Sequence, residues 1–230
     1  MAILVLVFAI GHHSGGQINC AVTFSLVLGG IVPWYQGIVN FIFQLFGSLL
    51  GAQILSTMVP CHMDLTQNLG SNTVNPNFTV GQAILSETMM TFLLCFIVYE
   101  TCVSQLFTAG QNSSIAVGFT VFIAHMLLLP ITGCSINPTR SFGPAIVSQM
   151  RGCDNFAEGG IRDLWVMFVG PGLGALGAAI YQIFFLPRNE HHPIIEAVFG
   201  QPIPLPPSDA EQQALMHLEV EKAAQALTEA

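Results

Sequence analysis

Apolar residues crowd into four long stretches, at 34–55, 80–102, 115–131 and 164–186. Each is about 17–23 residues, the length at which an α-helix crosses a hydrocarbon core of about 30 Å. An opening run, residues 1–10, reaches only about 15 Å as a helix, half a bilayer. It has neither the basic start nor the small-residue cleavage site of a targeting segment. Polar connections at 60–77 and 105–114 separate the spans. Small residues at four-residue spacing, Gly47 with Gly51 and Gly170 with Gly174 and Ala178, predict close helix contacts.

Two segments that interrupt this pattern are copies of each other. Ser14-Gly15-Gly16-Gln17-Ile18-Asn19-Cys20-Ala21-Val22-Thr23-Phe24 aligns without gaps on Thr132-Gly133-Cys134-Ser135-Ile136-Asn137-Pro138-Thr139-Arg140-Ser141-Phe142. Each is a small-residue loop ending in an asparagine that starts a short helix, the degenerate repeat of inverted-repeat channels and transporters. A backbone that leaves the helix in mid-membrane is tolerated only where protein covers it or it lines a wet cavity, so both loops point inward. Each asparagine is expected to cap its helix through the side-chain oxygen and leave its amide donors free. The positive ends of two helix dipoles then meet at the bilayer centre, which suits a neutral hydrogen-bonding solute and repels cations. Asn137 is preceded by two spans, whereas Asn19 is preceded by half of one. The expectation is therefore an incomplete first repeat over 1–57 and a second over 80–187, with the first span and part of the second missing.

Composition fixes the compartment. Of 230 residues only 8% are charged and 52% are hydrophobic, too little polar surface for a soluble domain, which makes this a multi-pass integral membrane protein. The net charge of −8 belongs to a tail, since seven acids (Glu190, Glu196, Asp209, Glu211, Glu219, Glu221 and Glu229) lie beyond Arg188. Residues 188–230 read as a cytoplasmic acidic tail, extended at 202–207, then helical over 210–227 with Ser208 and Glu211 as a capping box. Five Lys plus Arg rule out a nucleic-acid stripe. No nucleophile–base pair, metal motif or phosphate loop is readable, so no enzyme activity, cofactor or metal is expected. The six cysteines lack ligand spacing; Cys61 and Cys153 fall in polar connections that can share one side of the membrane, and spacing does not say whether they pair. Sequons at Asn77 and Asn112 flank the 80–102 span on opposite sides, so at most one can carry a glycan, with Asn77 the candidate.

Arg140 is three residues into the second short helix, where a guanidinium must face a cavity and bond to carbonyls. His125 lies twelve residues before Asn137 on the preceding span. With Gly133-Cys134-x-Ile136-Asn137-Pro138-x-Arg140-Ser141-Phe142-Gly143, these residues resemble an aquaporin of the major intrinsic protein family, from Met1 to about Leu186. The resemblance implies an all-α, right-handed inverted-repeat bundle with two re-entrant half-helices, a homotetramer in the bilayer with water as permeant and a pore in each subunit. It maps the selectivity constriction to His125, Cys134 and Arg140, in the pattern of water-selective members, with Cys134 at the position associated with mercurial sensitivity. Structural support is implied for Glu87, the buried span carboxylate, and for His12 beside Gly11. Ser141, Ala145 and Phe168 are water-type choices, with Val169 where a tryptophan is expected.

The paired Asn-Pro-Ala motifs of that family appear here as Asn19-Cys20-Ala21 and Asn137-Pro138-Thr139. Cys20 removes a preset backbone angle and adds a donor that needs a partner. Thr139 is expected to place a hydroxyl near the narrowest region, altering rate or folding more than chemistry. The family's first span, with its own buried glutamate, has no counterpart, so the chain as written is expected to fold poorly or conduct weakly. Three readings compete: a proton-coupled transporter with Glu87 and Glu100 as a relay, a non-conducting structural or regulatory protein, and a channel for glycerol, urea, ammonia or peroxide.

Overall fold

A computed structural model describes residues 1–66, 68–104, 112–153 and 159–185. They belong to one compact unit; the second unit, residues 105–107 and 187–230, lies outside the described residues, as do the acidic tail, its capping box and its helix. Every regular element described is helical: α1 (Ala2–Ser14), α2 (Cys20–Leu28), α3 (Trp34–Met58), α4 (Val80–Val98), α5 (Ser113–Thr132), α6 (Pro138–Met150), α7 (Gly159–Arg162) and α8 (Val166–Phe185). One wider turn, Tyr99–Val103, continues α4. The four predicted spans correspond to α3, α4 with its extension, α5 and α8. The chain therefore folds as two copies of one plan, with α1, α2 and α3 repeated as α5, α6 and α8.

Both copies break the membrane helix in the same way. Gly15 ends α1 and Gly133 ends α5, each at φ 75°, a left-handed conformation that glycine adopts without steric cost. The loop then passes through further left-handed residues, Gly16 in the first copy and Cys134 and Ile136 in the second, to an extended asparagine whose side chain starts the next helix. Residues 72–75 close the far end of α5. The Asn72 amide donates to Thr132 O, the Asn75 amide to Pro130 O and the Asn75 N–H to Ile131 O, satisfying carbonyls that a helix end leaves free.

The core forms where α2, α4, α5 and α8 meet, around Leu94, Tyr99, Ala124, Leu128, Ala175 and Ala178. Gly170 and Gly174 bring α8 onto α4: a Cβ at Gly174 would overlap Thr88 O and the Phe92 backbone. The matching stripe on α3 does not meet its expectation. Nothing lies within 4 Å of a Cβ built at Gly47 or Gly51, because α3 packs through another face. That face is polar. Gln36, Asn40, Gln44 and Ser48 recur every fourth residue, and three of them reach the pore loops: Asn40 Nδ2 donates to Gln17 Oε1, Gln44 Nε2 to Gln17 O, and Ser48 Oγ to Thr139 O.

The connection between α3 and α4 is fastened at three points. Cys61 and Cys153 form a disulfide, which answers the question that spacing left open. Arg151 Nη1 pairs with Asp64 Oδ2 at 3.1 Å, and Asp163 Oδ2 accepts the Val74 N–H at 2.8 Å. Asp64 is pulled two ways: burial pushes its carboxyl up, but hydrogen bonds from Thr66 and Leu69 and the charge of Arg151 outweigh this and hold it below the ordinary carboxylate value.

Candidate functional site

The two asparagines meet back to back. Asn19 Oδ1 accepts the N–H groups of Ala21 (2.8 Å) and Val22 (3.3 Å), and Asn137 Oδ1 accepts that of Thr139 (3.0 Å). Both caps sit in extended backbone, the geometry of an N-cap. Their amides are not wholly free, contrary to expectation. Asn19 Nδ2 donates to Ile136 O and Asn137 Nδ2 to Ile18 O, each at 2.9 Å, so each asparagine spends one of its two amide hydrogens on the opposite loop and keeps one.

Glu87 shapes the second loop. Its carboxylate, fully buried on α4, accepts the N–H of Ser135 at 2.8 Å, the N–H of Ile136 at 2.6 Å and the Thr132 hydroxyl. Cys134 and Ile136 stand at φ 58° and 46°, where a side chain is strained by about 1–3 kcal/mol. The carboxylate offsets that strain and turns Ile136 O toward Asn19. The first loop is braced from α3 instead, through Gln44 and Asn40. The three bonds recorded for Glu87 all go to the loop and the end of α5, and Glu100, on the turn that continues α4, accepts from Tyr181.

Arg140 is half-buried and bonds through Nη1 to Gly70 O (2.7 Å) and Asn72 Oδ1 (2.5 Å). Asn72 was not singled out in the sequence, yet it connects the site: its oxygen also accepts the Ser141 hydroxyl while its amide caps α5. Its signal was faint, one asparagine among several in a polar connection. His125 Nδ1 is 2.8 Å from Val121 O; with the proton on Nδ1 it donates there, and Nε2 is left as an acceptor.

His125, Arg140, Asn19 and Asn137 all line one cavity of about 360 Å³, whose remaining wall is largely apolar, with Val22, Leu26, Val117 and Val121 among it. Cys134 departs from its expected place. Fully buried, with Sγ 3.5 Å from His125 Nδ1, it backs the histidine and is not among the residues that line the cavity. The exposed free thiol on the cavity wall is Cys102. Thr139 also departs, turning toward Cys20 and Gln44 on α3. Ala21 is buried in the first turn of α2, and Pro138 occupies the first position of α6, where its missing N–H costs nothing. His12 is exposed and lies against the ring of His13. Asn77 is exposed on the connection that carries Cys61.

A helical bundle with two half-helices meeting nose to nose at a largely apolar cavity that carries a few polar groups has the inverted-repeat architecture of a membrane-channel fold. Residues 1–182 match the family described as Major intrinsic protein, and the chain belongs to that family. It is 35% identical over 191 residues to aquaporin-4 of Mus musculus, covering 83% of this chain and 55% of that protein. To aquaporin-5 of Ovis aries it is 33% identical over 186 residues, covering 81% and 66%. The chain thus spans little more than half the length of the aquaporin-4 relatives it matches. Among solved structures, the aquaglyceroporin from Plasmodium falciparum superposes with a TM-score of 0.69 at 20% identity, over 80% of this chain and 78% of that one, a likeness of fold.

Proposed function

We propose that this chain forms a passive pore that conducts water along osmotic gradients while excluding protons. The observation that carries this reading is the convergence of His125, Arg140, Asn19 and Asn137 on one otherwise apolar cavity. Water arriving at Arg140 exchanges hydrogen bonds with a guanidinium already held on Gly70 O and Asn72, and His125 Nε2 offers an acceptor beside it. At the centre, the one remaining amide hydrogen of each asparagine points at the oxygen of a passing water. Both lone pairs of that water are then taken and its hydrogens point away along the file, so a proton cannot hop through it; the two helix N-termini add a positive field that opposes cations. Apolar walls between these stations hold water loosely and let it leave.

Ser141 follows Arg140, and its hydroxyl is consumed by Asn72 and Ser135 within the wall, which favours water over larger polyols. A homotetramer with a pore in each subunit, residence in the plasma membrane, a cytoplasmic tail and the absence of any catalytic step complete the proposal by analogy with the family. The Cys61–Cys153 disulfide supports an oxidising side for the α3–α4 connection, and Asn77 is exposed on that connection as a glycan acceptor. A glycosidase-sensitive mass shift lost in Asn77→Gln tests that side.

Stopped-flow shrinkage of vesicles carrying the purified chain tests the activity. Osmotic permeability well above that of protein-free vesicles, without proton leak, is the expected result. Background permeability from correctly folded protein would overturn it. His125→Ala is expected to admit glycerol or urea, and unchanged solute uptake at matched expression would remove the histidine from the filter.

A further inference from the structure

Among the places where the two copies of the loop-and-helix device differ are the two that follow the asparagine. Cys20 stands opposite Pro138 in the alignment, and Thr139 stands opposite Ala21. In the fold the two odd residues face each other. The Cys20 N–H donates to Thr139 Oγ1 at 3.1 Å, and that oxygen lies 2.8 Å from Cys20 Sγ and 3.1 Å from Gln44 Oε1. Gln44 is oriented to accept, because its Nε2 already donates to Gln17 O and Thr23 Oγ1. Cys20 is fully buried, and this cluster sits against α3, away from the cavity wall.

The donor that exists because position 20 is not proline is thus received by the hydroxyl that exists because position 139 is not alanine. We propose that Cys20 and Thr139 form a single positioning pair that replaces a proline at the start of α2, seating its first turn so that Asn19 keeps its amide on Ile136 O. Either change alone leaves a defect. Alanine or valine at 139 strands a buried N–H at the first turn of the helix, where water cannot reach it. Proline at 20 removes the donor and leaves the hydroxyl to Gln44 alone. Both changes together supply a proline and an apolar side chain, the residue types that Pro138 and Ala21 provide at the aligned places. The backbone allows it, since Asn19 has φ −148° and ψ 114°, an extended conformation that a following proline accepts.

The test is a double-mutant cycle on the full chain, using Cys20→Pro, Thr139→Val and both, with Thr139→Ser as the conservative control. Thermal midpoint, folded yield and osmotic permeability per folded channel are read for each. Thr139→Val alone is expected to lower the folded-to-unfolded ratio about tenfold, and by less than about twofold when Cys20→Pro is present. Thr139→Ser is expected to match the parent. The Cys20 S–H stretching band, assigned by subtraction of Cys20→Ala, should shift in Thr139→Val and stay in Thr139→Ser. Equal effects of Thr139→Val in both backgrounds, failure to fold in both, or an unmoved S–H band would overturn the proposal. The proposal concerns the pore of the preceding section, but stability and the S–H band report on the pair even where no water flux is seen, so failure of either reading is told apart.

Discussion

Asn19 and Asn137 hold each other's loops: each donates one amide hydrogen to the carbonyl just before the other, both at 2.9 Å. The half-helices are therefore joined by their capping residues, and the same side chains that present hydrogens to the cavity also fix its centre. Asn19→Asp keeps the capping oxygen but has no hydrogen for Ile136 O. Expected is a loss of about 1–3 kcal/mol in thermal stability, a similar loss for Asn137→Asp, and admission of cations measurable as conductance. Equal stability to the parent would mean the cross-bonds carry no weight.

Glu87→Gln should be costly although the shape is kept. One carboxylate oxygen becomes an amide that points its hydrogens at the N–H of Ser135 or Ile136, and the positive-φ backbone at Cys134 and Ile136 loses its support. A fall of more than about 2 kcal/mol is expected from bonds to a buried charge. Chemical or thermal unfolding in detergent measures it, and Glu87→Asp, too short to reach both donors, should rescue little.

Mercurials should act at Cys102. That thiol is exposed on the cavity wall, whereas Cys20 and Cys134 have no open surface. Cys102→Ser is expected to abolish inhibition of water flow and Cys134→Ser to leave it intact. The reverse result would restore Cys134 to the pore surface.

Acid should loosen the outer connection through Asp64. Its carboxyl lies below the ordinary value of 3.8 in the folded chain, so protonation favours the unfolded state. The stability it supplies is complete above that ordinary value and fades as pH falls through the lower folded one. Asp64→Asn should flatten the pH dependence of unfolding in this acid window and leave neutral pH with a small constant loss from the missing Arg151 pair.

The sequence disclosed the spans, because hydrocarbon thickness sets their length directly, and it disclosed the paired loops, because a repeat is visible without knowing contacts. His125 and Arg140 were legible for a similar reason: charge and imidazole in an apolar setting demand a cavity. What remained hidden depended on which way a side chain turns. Cys134 backs the histidine because its residue stands at positive φ, a backbone state that nothing in its identity announces. Asn72 stayed unread because its three bonds reach residues at least 60 positions away. His12 lies against the ring of its neighbour His13, and the Gly47 and Gly51 spacing signalled contact on a face that the described residues leave open.

The polar column of α3 has a consequence for how this helix meets lipid. From Gln36 to Ala52 the amide and hydroxyl side chains, Gln36, Asn40, Gln44 and Ser48, all fall in one file, and phenylalanine, isoleucine and leucine fill most of the circumference. Over that stretch the cylinder has a single azimuth at which it can be immersed in hydrocarbon without submerging an amide. The roll of α3 is thus chosen by the bilayer as well as by the protein. The solvent that surrounds the channel helps aim the side chains that brace its first loop.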